Sequence, residues 1–340
     1  MEKKTKKNLL LAGAGLGALL AYRSLVRQKR EFSFKDRTVL ITGGSRGLGL
    51  VLARMLAEQG AKLAICSRTK HQLDAARAEL SAGGATVLAF NCDVSDRAQV
   101  QAMIKEIKDE LGPVEVLINN AGVISAGPLE EMQVEDFREA MDIHYWASLY
   151  TILEVIPEMK TRGEGRIVNI ASIGGKVSVP HLVPYSGSKF ALVGMSEGFR
   201  AELLKDNVLV TTINPGLMRT GSARNAFLKG QNEKEYTAFA LLDANPMISL
   251  AADDAARKIL DACRFGEAEV TLGLNAKLAS IFHGLFPGTV TDILGLVNHF
   301  LPGPGGIGKE RVRGYESETN LTRSVLNAPN QKAAQENNEL

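Results

Sequence analysis

The chain has 340 residues, a formal net charge of +2 and 45% hydrophobic residues. That balance excludes a strongly basic nucleic-acid-binding protein and supports a sizeable core. Three widely spaced cysteines, Cys66, Cys92 and Cys263, exclude a disulfide framework and a metal site, and fit reduced core thiols.

At the start of the chain, Lys3, Lys4, Lys6 and Lys7 precede an apolar run from Leu9 to Tyr22, and Arg23, Arg27, Lys29 and Arg30 follow it. A helix over residues 8–26 would reach about 28 Å, close to the hydrocarbon thickness of a bilayer. The small-residue pattern of a cleaved signal peptide is poor. Residues 1–30 therefore read as a membrane anchor, with a helix lying in the interface as the alternative. Basic residues on both flanks leave its orientation open.

From Thr38 a strand–helix alternation begins. The β-branched and apolar runs predict strands over 38–41, 62–66, 86–91, 114–118, 166–170 and 208–213, with a seventh at 269–272. Between them, helical patterns cover 48–59, 70–82, 96–111, a long stretch 134–161, and 184–204. The pattern predicts one α/β domain over residues 36–273, a doubly wound parallel sheet with helices on both faces. Residues 217–245, too long for a simple connection, are expected to contain helical pieces covering the carboxyl edge of the sheet. Residues 274–315 read as an apolar extension that contacts membrane or a second subunit. Residues 316–340 are polar and read as a disordered tail.

The loop Thr42-Gly43-Gly44-Ser45-Arg46-Gly47-Leu48-Gly49 sits between the first strand and the first helix. Glycines let backbone approach a pyrophosphate, and the helix N-terminus supplies N–H groups and positive potential. This makes the sheet a Rossmann-type dinucleotide fold. After the second strand, where an acidic residue would bind a ribose diol, the chain has Arg68; with Arg46 it suits a 2′-phosphate, so NADP(H) is expected over NAD(H). Asp93 and Val94 follow the third strand, and the Asp93 carboxylate can reach an adenine amino group or serve a turn.

Tyr185 and Lys189 stand four residues apart on one helix face, and Ser172 precedes Tyr185 by thirteen residues. An ammonium beside a phenol favours the phenolate, so Lys189 is expected to make Tyr185 more acidic. These features together resemble the short-chain dehydrogenase/reductase family. The resemblance rests on the glycine loop, on Asn119-Asn120-Ala121-Gly122 after the fourth strand, on Ser172, Tyr185 and Lys189, and on Asn214-Pro215-Gly216 with Thr220. It runs from about residue 36 to 272. Within the family the chain looks most like membrane-associated and hydroxysteroid-dehydrogenase-like members.

The resemblance implies hydride transfer between nicotinamide and a carbonyl or secondary alcohol. Tyr185 would be the acid–base group, Ser172 the hydrogen-bond donor to the substrate oxygen, and Lys189 a ligand of the nicotinamide ribose. Asn120, Ala121, Gly122, Pro215, Gly216 and Thr220 would line the cofactor cleft. It also implies a dimer or tetramer. A reduced nicotinamide cofactor would require the catalytic domain of the membrane-associated protein to face the cytoplasm, with a soluble cytoplasmic protein as the alternative. His144 stands where the family has a relay asparagine; a working relay and a merely packed histidine are both open. The substrate is expected to be apolar and lipid-, steroid- or acyl-like, given the anchor and Ile173, Val177, Val179, Leu182, Leu217, Met218, Phe227, Phe239 and Leu241. A non-catalytic NADP(H)-binding regulator, a membrane scaffold and a sugar-nucleotide epimerase or dehydratase are the alternatives.

Overall fold

The computed structural model describes residues 25–340. Seven parallel strands form one sheet: β1 Thr38–Thr42, β2 Lys62–Ser67, β3 Val87–Asn91, β4 Val116–Asn119, β5 Gly165–Ile170, β6 Val208–Pro215 and β7 Glu269–Leu272. Their spatial order is β7-β6-β5-β4-β1-β2-β3. The order reverses between β1 and β4, which opens a crevice at the carboxyl edge, the place where such sheets bind ligands.

The strands lack polar alternation because both faces are covered. In β1 all five residues are buried. Val39 and Ile41 face one core, built with α1 Gly47–Glu58, α2 Lys70–Ala82 and a later helix, Ala252–Arg264. Leu40 faces the other, built with α3 Arg97–Leu111 and the helices that follow β4.

The long helix expected over 134–161 is present and runs without a break to Arg162, with a π bulge inside it. Its parts are α4 Val134–Met141, a π turn at Asp142–Trp146 and α5 Ala147–Arg162. The π turn carries His144, and such bulges gather at functional sites. After β5, α6 Val183–Leu203 carries the tyrosine and lysine. The segment after β6 does contain helical pieces: a 3₁₀ turn at Ser222–Asn225 and α7 Asn232–Ala244. The later helix named above, Ala252–Arg264, is α8, and it packs beside α1.

The expected apolar extension is a hairpin of α9 Leu274–Leu285 and α10 Pro287–Asn298. It is only weakly buried: Leu278, Ile281, Leu285, Phe286 and Leu296 are exposed, and Phe300 beyond them is 89% exposed. The apolar run of residues 9–22 lies outside the described residues. Among the described residues no helix is long and apolar enough to cross a membrane.

Residues 316–340 correct the expectation of a disordered tail. They fold back on the domain and end in α11 Ala328–Glu336. Their polar side chains find partners in the chain itself: Asn330 donates to the Ala240 carbonyl at 3.0 Å, and Asn327 to that of Thr322 at 2.9 Å. Ala334 is fully buried, and its small side chain lets α11 approach the backbone at Gly221. A composition poor in large apolar residues still orders here because the amide N–H groups of Asn327 and Asn330 find carbonyls and close backbone contact replaces apolar burial, although the Oδ1 atom of each is buried without a hydrogen-bond partner.

Candidate active site

The site is built on the loops that follow β1 to β6 at the carboxyl edge of the sheet. In the first, Gly43 has φ +65°, a left-handed conformation that favours glycine. A side chain at Gly49 would run into the Gly43 carbonyl, so the loop can turn tightly only with glycine there. The loop after β4 is stitched to the first. Thr42 Oγ1 accepts the backbone N–H groups of Asn120 and Ala121 at 3.0 and 3.1 Å, and Asn120 Nδ2 donates to the carbonyls of Thr42 and Gly43, both at 3.1 Å. Asn119 points the other way, into a buried chain with Asn169 and Thr151.

Together these loops enclose a cleft of about 300 Å³. Gly43, Ser45, Arg46, Gly47, Leu48, Arg68 and Val94 line one end. Asn120, Ala121, Gly122, His144, Ser172, Tyr185, Lys189, Pro215, Gly216 and Thr220 line the rest. Thr42 and Gly49 stand behind the wall and shape it. Asp93 is not in the lining: its carboxylate accepts from the Ser95 hydroxyl at 2.7 Å and lies 3.7 Å from Arg68.

At the inner end Ser172 opens a 3₁₀ turn, its hydroxyl accepting from the Gly174 N–H at 3.0 Å. Lys189 is buried, and its ammonium donates to the Ile170 carbonyl at 2.8 Å. Burial pulls Lys189 down to about 7. Burial also pushes the Tyr185 phenol above its ordinary value, against a smaller opposing effect from its hydrogen bond with Ser172. The expected acidification of Tyr185 by Lys189 is therefore not what this geometry gives. The ammonium is 5.7 Å from the phenol ring centre and is committed to a carbonyl, so desolvation governs both groups.

His144 has both ring nitrogens engaged. Nε2 accepts the Val123 N–H at 3.2 Å, which leaves the proton on Nδ1, 2.7 Å from Ser188 Oγ. The Ser188 hydroxyl in turn donates to the Tyr185 carbonyl at 2.7 Å. Burial first, and then the charge of Lys189, hold His144 well below its ordinary pKa. The ring packs edge-on against Tyr185, 5.3 Å between centres. It fixes the tyrosine's helix from behind with a neutral imidazole.

Of the apolar residues expected to shape a substrate pocket, only Met218 lines the cleft. Phe227 lies beneath Arg311 and Arg313, and Leu182 and Phe239 pack around Tyr236. Val123, Ile124, Ile143, Ile170 and Ala226 supply the apolar wall instead. Asn225, Arg313 and Glu339 also line the cleft, and none of them is expected from the sequence. Arg313 belongs to a two-residue strand, Val312–Arg313, that pairs antiparallel with Phe227–Leu228 and so reaches the cleft from far along the chain. Burial, with Arg46 and Arg68 nearby, pulls its guanidinium below the ordinary value. No local motif marks these residues, because each arrives by tertiary packing.

The arrangement suits a dinucleotide. Ser45 Oγ is buried in the glycine loop without a hydrogen-bond partner, an acceptor and donor free for a ligand. The α1 N-terminus and two arginines face the same end.

Comparison with known proteins agrees with this geometry. Residues 37–230 match the family model described as short chain dehydrogenase. Dehydrogenase/reductase SDR family member 7B of Mus musculus is 32% identical over 261 residues, 76% of this chain and 79% of its own length. A gluconate 5-dehydrogenase from Burkholderia cenocepacia, solved in complex with NADP and tartrate, superposes with a TM-score of 0.64 at 26% identity, covering 73% of this chain and 98% of that one. Levodione reductase superposes with a TM-score of 0.61 at 26% identity, covering 71% and 97%. The chain is an oxidoreductase with a fold that binds a nicotinamide cofactor, and it belongs to the short-chain dehydrogenase/reductase family.

Proposed function

We propose that the protein is an NADP(H)-dependent reductase or dehydrogenase acting on a ketone or secondary alcohol of an apolar, lipid-like substrate. The observation that carries this reading is one cleft lined both by the glycine loop with Arg46 and Arg68 and by Ser172, Tyr185 and Lys189. Two guanidinium groups at the adenosine end favour a 2′-phosphate over a free ribose diol. The NADP held by the related gluconate 5-dehydrogenase is in keeping with that preference.

The nicotinamide supplies the hydride; this chain's residues position the substrate and handle its proton. Ser172 donates a hydrogen bond to the substrate oxygen and steadies negative charge there. Tyr185 gives that oxygen its phenolic proton. Its buried phenol, held protonated at neutral pH, suits the reducing direction. Lys189 holds the floor of the site through Ile170 and offers its remaining N–H groups to the ribose hydroxyls. His144 keeps Tyr185 in place through Ser188.

The exposed apolar hairpin α9–α10 and the basic-flanked run of residues 9–22 support attachment of the protein to a membrane surface, with the substrate drawn from it.

The test is NADPH oxidation against a panel of steroid, long-chain acyl and small aromatic ketones, with NADH as the control. Turnover with NADPH that falls by at least about a thousandfold in Tyr185→Phe, while NADPH binding persists, is the expected result. Undiminished turnover in that variant removes Tyr185 from its role, and equal use of NADH removes the phosphate preference.

A further inference from the structure

The phosphate end of the cleft already holds an anion, supplied by the chain. Glu339 is 5% exposed and lies over the glycine loop, its carboxylate 3.3 Å from Arg46 and 2.7 Å from the Asn225 amide. A side chain on Gly47 would run into Glu339 Oε1, so the carboxylate fills the space that a pyrophosphate needs in order to approach this backbone. The Gly47 N–H, at the first turn of α1, donates to the Asn337 carbonyl at 2.8 Å. Asn338 completes the contact: its amide donates to the Ser45 carbonyl at 2.8 Å and to that of Gln72 at 2.9 Å.

The same few residues grip the other side of the cleft. Asn225 Nδ2 donates to both the carboxylate and the backbone carbonyl of Glu339, and Asn337 Nδ2 reaches the Thr220 carbonyl at 3.4 Å. Thr220 and Asn225 belong to the segment after β6 that lines the cleft. Residues 337–340 are thus a strap from the glycine loop and α2 to that segment.

We propose that residues 337–340 are a displaceable plug: Glu339 occupies the position of a cofactor phosphate, and the dinucleotide binds only after the strap leaves, which also releases Thr220 and Asn225 and so loosens the substrate side of the cleft. This rests on the reading of the cleft as a dinucleotide site. A carboxylate and a phosphate seek the same guanidinium and the same N–H groups, and the two cannot share the space above Gly47. The ligand that releases the strap is therefore the one with the greater negative charge, which links cofactor supply to opening of the substrate side.

The experiment compares NADPH binding, read by its fluorescence, in the full chain, in a chain ending at Glu336, and in Glu339→Gln, which keeps the side-chain size. A plug docked about nine-tenths of the time lowers apparent affinity about tenfold, so the shortened chain should bind NADPH about tenfold tighter, with Glu339→Gln intermediate. Trypsin, cutting after Arg219 and Arg224, should act faster on the full chain when NADPH is added, and equally fast on the shortened chain without it. Unchanged or weaker NADPH binding in both altered proteins overturns the plug; weaker binding would make the strap part of the cofactor site. Failure of every protein to bind NADPH or NADH removes the dinucleotide reading itself, and the plug with it.

Discussion

Lys189 brings an ammonium into a fully enclosed place, with the Ile170 carbonyl as its hydrogen-bond acceptor. Its pKa falls from 10.5 to about 7 through burial. Between those values the unfolded chain binds a proton that the folded chain gives up. Folding is therefore favoured as pH rises from 7 to 10.5, and the benefit is lost as pH falls through 7. Each tenfold change in proton affinity corresponds to about 1.4 kcal/mol. Urea unfolding across pH 7–10 should show stability rising with pH in the parent chain, and a flatter curve in Lys189→Met. An identical slope in the two proteins would place the titration elsewhere. The Tyr185–Lys189 spacing is plain in the sequence because four residues make one helical turn. What the two groups do to each other is not, since their solvation depends on strands and loops more than ten residues away.

Among the elements, α11 is the least expected and the most informative. It packs against α7 through Asn330, beside the buried carboxyl of Asp243. Burial pushes Asp243 up to about 7, outweighing its hydrogen bonds with Asn330 and the Met218 backbone and the charge of Arg219. A raised carboxyl pKa means the folded state prefers the acid form. Its contribution is complete below the unfolded value of 3.8 and is lost as pH rises to about 7. The sign is opposite to that of Lys189. Thermal melts between pH 4 and 7 should fall as pH rises, and Asp243→Asn, which puts a non-titrating amide in the same space, should flatten that fall. A fall unchanged in Asp243→Asn would clear this residue. Nothing in the α11 sequence announces its docking. Its order comes from Ala334 meeting Gly221 and from the Asn330 amide meeting the Ala240 carbonyl on α7, both of which are tertiary events.

For the whole molecule, the parallel sheet and the cleft were legible because buried strands and a glycine loop leave patterns within ten residues of themselves. The rim was not: Asn225, Arg313 and Glu339 converge from segments with no shared motif, and of the expected apolar lining only Met218 reaches the cleft. The apolar hairpin α9–α10 shows the same limit from the other side. Its composition is evident, but only the fold reveals that Leu278, Ile281 and Leu285 recur at helical spacing on a surface left uncovered by the other described residues. Burying each such side chain in a lipid interface contributes roughly 1.5 kcal/mol or more. A protein without residues 1–30 should therefore still float with vesicles of mixed neutral and acidic lipid, and the triple change of Leu278, Ile281 and Leu285 to Ser should weaken that binding by at least about a hundredfold. Vesicle binding that vanishes on removal of residues 1–30 alone would assign attachment to that run and leave the hairpin for another copy of the chain. Binding that survives the triple change would remove the hairpin from the membrane face.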